Sequence, residues 1–175
     1  ERSFFDLNHP ADVIVFSLLK GLGAPLGALL CGPRKVIDRA FINLRRIGGH
    51  AVHRAGIFAA AGIVALESEL DKLGGDIVRA QEFARAVSRI GGLGVDPSAV
   101  ETNIVMIDVG GTGVESREFL KLLLEHGVRG HPYTDQIARF TFHPQISDAD
   151  LEHTLTAIRS VAAAALGGRQ SRSPA

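Results

Sequence analysis

The spacing of apolar and polar positions divides the first half of the chain into two kinds of segment. Residues 11–32 hold two nearly continuous aliphatic runs separated by a glycine-rich bend, which predicts two strands around a turn. Apolar positions three and four apart then predict helices over residues 34–47, from the His50 region to Leu70, and over residues 76–90. The first half is therefore expected to be a strand pair followed by helices.

From Glu101 onward the pattern alternates between the strand period and the helix period. Phe119, Leu120, Leu123 and Leu124 are the positions expected to point inward from a helix, and Gly127 is expected to stop it. The predicted elements are a strand over 102–109, a helix over 116–126, strands over 128–133 and 137–142, and a helix after an N-cap at Ser147. This order predicts a small α/β sandwich of one sheet and two helices, followed by a disordered tail over residues 167–175.

Composition and charge exclude several classes of function. The 175 residues are 46% hydrophobic, with 19 basic and 19 acidic side chains, so no net field attracts nucleic acid or an anionic membrane. The longest apolar run, residues 55–66, is too short to span a bilayer and is expected to be a buried helix. Cys31 has no partner for an internal disulfide and is expected to be a buried, reduced thiol in a cytoplasmic protein.

Lys20 is the strongest candidate for chemistry. It follows an apolar strand and precedes Gly21 and Gly23, and strand ends in α/β proteins are where ligands collect. Glycines beside an amine let a planar group approach the backbone, as a Schiff-base lysine requires. The alternative is a lysine that caps a hairpin and points into water.

Three other motifs carry weaker signals. His50 and His53 could place two imidazoles on one helical face, but a third ligand at usable spacing is missing, so no metal is expected. The glycine clusters at residues 91–94 and 110–113 lack the full dinucleotide or P-loop pattern and are interpreted as turns. The histidine of each His-Pro pair, His131 and His143, is expected to end a strand.

Several segments together resemble the threonine aldolase and β-eliminating lyase family of pyridoxal phosphate enzymes. They cover nearly the whole chain, and the first of them is the most specific because a turn, a proline and a lysine must coincide. These segments are Asp12-x7-Lys20-Gly-Leu-Gly-Ala-Pro-Leu-Gly, Arg45-Arg46-Ile-Gly-Gly-His50, Ala55-Gly56 with Ala59-Ala-Ala-Gly62, Glu101-Thr-Asn-Ile-Val105 and Ala138-Arg-Phe-Thr-Phe-His143.

The resemblance implies an α/β fold, the C-terminal part of the pyridoxal phosphate-dependent transferase fold of the aspartate aminotransferase superfamily. Residues 1–60 would be the end of the cofactor-binding large domain, residues 61–94 connecting helices, and residues 95–166 the small C-terminal domain. The upstream part of the large domain, with the rest of the cofactor site, is expected to belong to a half that is not present. The full-length form is expected to be a dimer or tetramer.

The resemblance also assigns roles to individual residues. Lys20 would hold the cofactor as a Schiff base, with Gly21 and Gly23 beside it. Arg46 and either His53 or Arg54 would approach the cofactor phosphate, and which of these two serves is open. Arg139 would bind the substrate carboxylate, with His143 a candidate for the same pocket; the alternative for Arg139 is a strand arginine paired with a surface acid.

The implied activity is retro-aldol cleavage of threonine or allo-threonine to glycine and an aldehyde. Two alternatives stay open: a catalytically inactive, dimerising remnant, and a pyridoxal phosphate enzyme that performs β-elimination or decarboxylation. Leu19 stands where the family commonly has a serine, and half of the site is expected to be missing. The chain alone is therefore predicted neither to hold the cofactor tightly nor to turn over.

Overall fold

The structure, a computed structural model, describes residues 11–50 and 52–170. The chain divides into two compact units, residues 1–71 and residues 72–175. The opening residues and the last five residues of the expected tail lie outside the described part.

A two-stranded antiparallel hairpin begins the first unit. Its strands are β1 (Ile14–Ser17) and β2 (Ala28–Cys31), paired so that Ile14 faces Cys31 and Ser17 faces Ala28. β-branched and aliphatic side chains favour this extended conformation. The hairpin confirms the predicted pair of strands around the lysine turn, with each strand shorter than its apolar run.

Two helices follow the hairpin in the first unit. α1 (Arg34–Arg46) begins directly after Pro33, whose φ of −57° suits a helix start, and the chain turns at Gly48 with φ +76°. α2 (Ala55–Ser68) is the second helix. Both confirm predicted helices, the second of them over a shorter range than expected.

Burial in the first unit differs from the expectation. Cys31 is exposed rather than buried, and of the small-residue helix α2 only Gly62 and Ala65 are buried. An apolar sequence does not itself bury a side chain, because burial depends on what packs against the element. Within the described residues of this unit, little packs against the hairpin and the helices.

The second unit is built on a three-stranded antiparallel sheet. The strands are β3 (Ile104–Asp108), β4 (His131–Pro132) and β5 (Ile137–Thr141), in the spatial order β3-β5-β4. β5 is central, and β4 is a two-residue edge strand, much shorter than the predicted strand over 128–133. Gly110–Thr112 forms a 3-10 turn after β3, in agreement with the predicted turn.

Helices cover one face of this sheet. They are α3 (Leu73–Val87), α4 (Ser116–Glu125) and α5 (Asp148–Gln170). Phe83 of α3 is fully buried, with its ring 5.5 Å from that of Phe140 and 5.3 Å from that of Phe142. Aromatic pairs at this separation add to the stability that burial supplies. The core of the second unit therefore joins α3 to the sheet.

Two expectations about the helices of the second unit are wrong. Leu124 is exposed although Phe119, Leu120 and Leu123 are buried, because it lies in the last turn of α4 at the margin of the buried stripe. α5 continues to Gln170, so residues 167–170, expected in the disordered tail, are helical. The predicted inward stripe of α5 is confirmed, since its members are buried: Leu151, Leu155, Ile158 and Val161.

Ser147 and Asp150 form a reciprocal cap at the start of α5. The Asp150 carboxylate accepts hydrogen bonds from the Ser147 hydroxyl (2.6 Å) and backbone N–H (2.9 Å), while the Asp150 N–H donates to Ser147 Oγ (3.2 Å). These bonds satisfy donors that helix geometry leaves free. The hydrogen bonds from the Ser147 hydroxyl and then from its backbone N–H hold the pKa of Asp150 below its usual 3.8. Burial opposes them, and His153 contributes a further, smaller lowering of this pKa.

Ser147→Ala is expected to raise the pKa of Asp150 toward its ordinary value. Because the folded pKa is lowered, this carboxylate stabilises the fold at pH values above 3.8, and the contribution is lost as the pH falls through the lower folded value. A carboxyl ¹³C NMR titration of wild type and variant measures the change. An Asp150 titration that is identical in both proteins would contradict this account of the cap.

Candidate functional site

Lys20 lies on a tight turn directly after β1. Its carbonyl oxygen accepts a hydrogen bond from the Gly23 N–H at 2.9 Å, which closes a four-residue turn. Gly23 has φ +70°, a conformation that side-chain-bearing residues rarely adopt. The Lys20 side chain is exposed. The turn therefore presents a primary amine to its surroundings from a defined backbone.

Buried neighbours anchor this turn on both sides of Lys20. Leu18, Leu22 and Ala24 are buried, and the Leu18 backbone bonds to both Ala24 (3.0 Å) and Gly27 (2.9 Å). A Cβ added at Gly62 of α2 would lie 3.0 Å from Leu18 Cδ1, so the helix passes close to the residue that anchors the turn. The backbone of Lys20 is thereby held by packing as well as by hydrogen bonds.

The predicted phosphate-binding residues flank the connection between α1 and α2. Arg46 is exposed in the last turn of α1, and His53 and Arg54 are exposed just before α2. Arg54 caps α2 in the left-handed conformation (φ 63°, ψ 21°), a strained state for a residue with a side chain. The first turn of α2 holds no acidic residue, and no side chain caps it. Two of its N–H groups already have backbone acceptors, since Ala55 donates to the Val52 carbonyl (3.3 Å) and Ile57 to the Arg54 carbonyl (3.1 Å). The positive end of the helix dipole still favours an anion there.

His50 is held against α1 rather than paired with His53 at a metal site. Its ring meets that of Phe41 edge to face, with the centroids 6.3 Å apart. Among residues 11–50 and 52–170, no three His, Cys, Asp or Glu side chains are grouped closely enough to hold a metal ion. Within the same residues, no helix combines the length and apolarity needed to cross a membrane.

Arg139 lies on the face of the second unit's sheet opposite the one that α3, α4 and α5 cover. Its neighbours in β5, Ala138 and Phe140, are buried against the helices, so Arg139 projects from the other side. Its Nε is buried and has no hydrogen-bond partner among the residues that the structure describes. A buried N–H without an acceptor costs about 1–3 kcal/mol. The role of Arg139, substrate binding or pairing with a surface acid, stays a prediction.

The structure places the predicted residues in three groups. Lys20, Gly21 and Gly23 share one turn, Arg46, His53 and Arg54 flank the segment between two helices, and Arg139 is in the sheet of the second unit. The sequence missed that His131 of β4 lies directly opposite Arg139 in the sheet register. Register depends on pairing between strands that are distant in the sequence, so the position of His131 opposite Arg139 could not be predicted locally. The one local signal at His131 was its His-Pro pair, which predicted the end of a strand.

Comparisons with known proteins give the family. The family described as "Beta-eliminating lyase" matches residues 3–111. A relative from Arabidopsis thaliana, "Probable low-specificity L-threonine aldolase 2", is 34% identical over 152 residues, which are 86% of this chain and 42% of the relative. The chain thus spans about two-fifths of that relative's length.

Solved structures share the fold. The crystal structure of a putative L-allo-threonine aldolase from Listeria monocytogenes has a TM-score of 0.67 at 20% identity, covering 86% of this chain and 44% of the other. An aminotransferase, TlmJ from Streptoalloteichus hindustanus, has a TM-score of 0.68 at 18% identity, covering 87% and 53%. The described units are thus part of the pyridoxal phosphate-dependent transferase fold, as the sequence predicted. The family match over residues 3–111 and the similarity to the Arabidopsis thaliana aldolase show which family this is. The chain belongs to the threonine aldolase and β-eliminating lyase family, whose cofactor is pyridoxal 5′-phosphate.

Proposed function

We propose that this chain supplies the cofactor-binding lysine and the carboxylate-binding arginine of a threonine aldolase-type lyase. The reaction breaks the Cα–Cβ bond of a β-hydroxy-α-amino acid such as threonine or allo-threonine. The proton of the β-hydroxyl goes to a base, a proton is delivered to Cα after the bond breaks, and the products are glycine and an aldehyde. The observation that carries the proposal is the exposed Lys20 amine on its anchored turn, within a family of pyridoxal phosphate enzymes.

Lys20 fits the covalent role. Pyridoxal phosphate, when bound, supplies the electron sink that stabilises negative charge at Cα of the amino acid. Lys20 Nζ would attach the cofactor, because a primary amine in its neutral form is a nucleophile toward an aldehyde. The glycines at positions 21 and 23 carry no side chain that would crowd a planar ring against the turn. When the amino acid substrate displaces Lys20 from the cofactor, the Lys20 amine would be free to accept a proton at Nζ.

Arg139 fits the carboxylate role. A guanidinium binds a carboxylate through two parallel hydrogen bonds, and such charge-assisted bonds are about twice as strong as neutral ones. The buried Nε of Arg139 lacks the acceptor that a substrate carboxylate would provide. We infer that Arg139 orients the substrate by this carboxylate.

The start of α2 fits the phosphate role. The positive end of the α2 dipole, the absence of an acid in the first turn and the adjacent Arg54 all favour an anion. Arg46 and His53 add further donors on the same connection. We propose Arg46 with Arg54 as phosphate ligands, and His53 as the alternative to Arg54.

Arg54→Gly is expected to separate binding from stability. Glycine adopts the left-handed conformation freely, so the variant relieves roughly 1–2 kcal/mol of backbone strain and the first unit becomes no less stable. Loss of the guanidinium weakens pyridoxal phosphate binding by the active enzyme about tenfold. Denaturant unfolding of the chain and cofactor titration of the enzyme measure the two effects.

Arg54→Ala is the matched control, because it removes the guanidinium and keeps the strained φ. It should weaken cofactor binding as much as Arg54→Gly without the gain in stability. His53→Ala resolves the remaining choice. If His53→Ala weakens binding while Arg54→Gly does not, His53 is the phosphate ligand and our assignment of Arg54 is wrong.

We propose that the active enzyme needs more polypeptide than this chain. The first unit exposes large apolar side chains on the hairpin and on both helices, including Val15 (67% exposed), Phe41 (53%) and Ile57 (66%). Exposed apolar surface on this scale marks a face that other protein covers. The first unit would be the end of the large domain and the sheet of the second unit the small domain of a cytoplasmic homo-oligomer. Cys31, an exposed free thiol, suits a reducing compartment.

Borohydride reduction after incubation with pyridoxal phosphate tests this requirement. The chain alone should show little adduct at Lys20 beyond that at other exposed lysines such as Lys35, and it should release no glycine from threonine. Peptide mass mapping locates the adduct. A stoichiometric adduct confined to Lys20 would refute the requirement for further polypeptide and would support the role of Lys20.

β-Elimination is the second candidate reaction, since the family carries that name and a lysine alone does not choose which bond breaks. Product analysis of the active enzyme with threonine, allo-threonine and phenylserine distinguishes the two. Aldol cleavage yields glycine and an aldehyde. Elimination of water from threonine leaves an enamine, which water hydrolyses to an oxo acid and ammonia. These products would overturn the aldolase assignment.

A further inference from the structure

His131 and Arg139 form one rung on the face of the sheet opposite the one that α3, α4 and α5 cover. The register pairs His131 of β4 with Arg139 of β5, and Met106 of β3 with Arg139 on its other side. Directly opposed residues in an antiparallel pair project from the same face, with their Cβ atoms about 4.5–5.5 Å apart. Arg139 therefore has an imidazole on one side and a thioether on the other.

The backbone at His131 is fixed from both ends. A Cβ added to the preceding residue, Gly130, would lie 2.6 Å from Leu120 Cδ2 and 3.1 Å from Phe140 Cε1, so the chain there is pressed against the core. On the far side, the Tyr133 N–H donates to the Ile137 carbonyl at 2.8 Å. Although β4 is a two-residue edge strand, the rung that holds His131 is therefore well defined.

Asp108 and Tyr133, two polar residues diagonal to Arg139 across the sheet, do not accept a hydrogen bond from its Nε. Asp108 is diagonal to Arg139, since its own partner in β5 is Ile137. Its Oδ1 accepts a hydrogen bond from the Gly110 N–H at 2.7 Å, toward the turn that follows β3. Tyr133 is diagonal on the other side and largely exposed. Within the described residues, Arg139 Nε keeps no acceptor, and His131 is its nearest polar neighbour in the register.

We propose that His131 is a substrate-binding residue that joins Arg139 in a two-donor site for a carboxylate on this face. Two hydrogen bonds of about 2.8 Å, one to each carboxylate oxygen, bridge two donors on opposed strand positions. The ligand class is a small carboxylate, which for the proposed function is the α-carboxylate of the amino acid. The inference rests on the proposed role of Arg139. Met106 would contact the apolar part of the ligand.

NMR titration of the ¹⁵N-labelled chain with sodium acetate tests this site without cofactor or turnover. The probe signals are Arg139 Nε–Hε and the His131 ring, and sodium chloride at equal ionic strength controls for screening. His131→Ala is expected to raise the dissociation constant for acetate about two- to tenfold, the effect of one hydrogen bond. His131→Gln keeps a donor and should stay within about twofold of wild type.

His126→Ala is the matched control, because His126 follows α4 on the helix-covered side of the sheet. The affinity of this variant for acetate should equal that of wild type. If His131→Ala binds acetate like wild type while Arg139→Ala does not bind it, His131 has no part in the site and only this inference fails. If acetate causes no shift that depends on Arg139, both this inference and the carboxylate role of Arg139 are overturned.

Discussion

Lys20→Ala is expected to abolish glycine formation from L-threonine in the active enzyme that contains this chain, by at least about a thousandfold. Removing a covalent nucleophile leaves only the binding and orientation that the rest of a site supplies, and losses of this size or larger follow. The exposed amine of Lys20 sits on a turn closed by the bond from Gly23 to its carbonyl. Steady-state assay of glycine and aldehyde measures the loss.

Two controls make the Lys20 result specific. Lys20→Arg keeps the positive charge, but a guanidinium stays protonated and does not attack an aldehyde, so this variant should be as inactive as Lys20→Ala. Lys35→Ala removes an exposed lysine from α1 and should retain full activity. Cofactor-dependent absorbance should vanish in both Lys20 variants. Activity that survives Lys20→Ala would remove this residue from the site and with it the proposed function.

Arg139→Ala is expected to lower kcat/KM for L-threonine by about a hundredfold or more, mainly through KM. The variant removes a bidentate, charge-assisted contact to the substrate carboxylate, which is worth several kcal/mol when water is excluded. Arg139→Lys keeps the charge and loses the planar fork, so it should lie between wild type and alanine. Arg129→Ala, an exposed arginine beyond the end of α4, should leave both constants unchanged.

The stability of the Arg139→Ala variant distinguishes a substrate-binding arginine from a structural one. A structural arginine would leave its partner unpaired when removed, and the second unit would lose stability. Here the Nε has no partner, so Arg139→Ala relieves about 1–3 kcal/mol of unsatisfied donor and loses only the packing of the aliphatic stem. Urea unfolding should therefore show little or no loss. A drop of several kcal/mol, with KM unchanged, would identify Arg139 as a structural residue.

Elements with a strong local pattern were predictable from the sequence. α1, α3, α4 and α5 follow stripes of apolar residues, and each begins or ends at a residue with a local signal, such as the Ser147 cap of α5. The lysine turn was predictable for the same reason, because glycine and proline act on the backbone next to them. The boundaries of the strands were less accurate, since pairing with other strands decides where a strand ends.

Burial was predicted poorly wherever it depended on distant parts of the chain. α2 is the most apolar helix by sequence, yet it buries only Gly62 and Ala65. Leu124 fits the inward pattern of α4 and yet is exposed. Cys31 is also exposed, although the apolar sequence of β2 predicts a buried strand. In each case the residue has the composition of a core position and lacks a packing partner within its own unit.

The sequence by itself determined the family, the candidate lysine and arginine, and the order of helices and strands, because these depend on residues close together in the chain. Only the tertiary structure decided that the Arg139 Nε is buried without an acceptor, that His131 shares its rung, and that Arg54 is held in a left-handed conformation. Register, burial and backbone strain arise from contacts between distant segments, and no local pattern of residues encodes them.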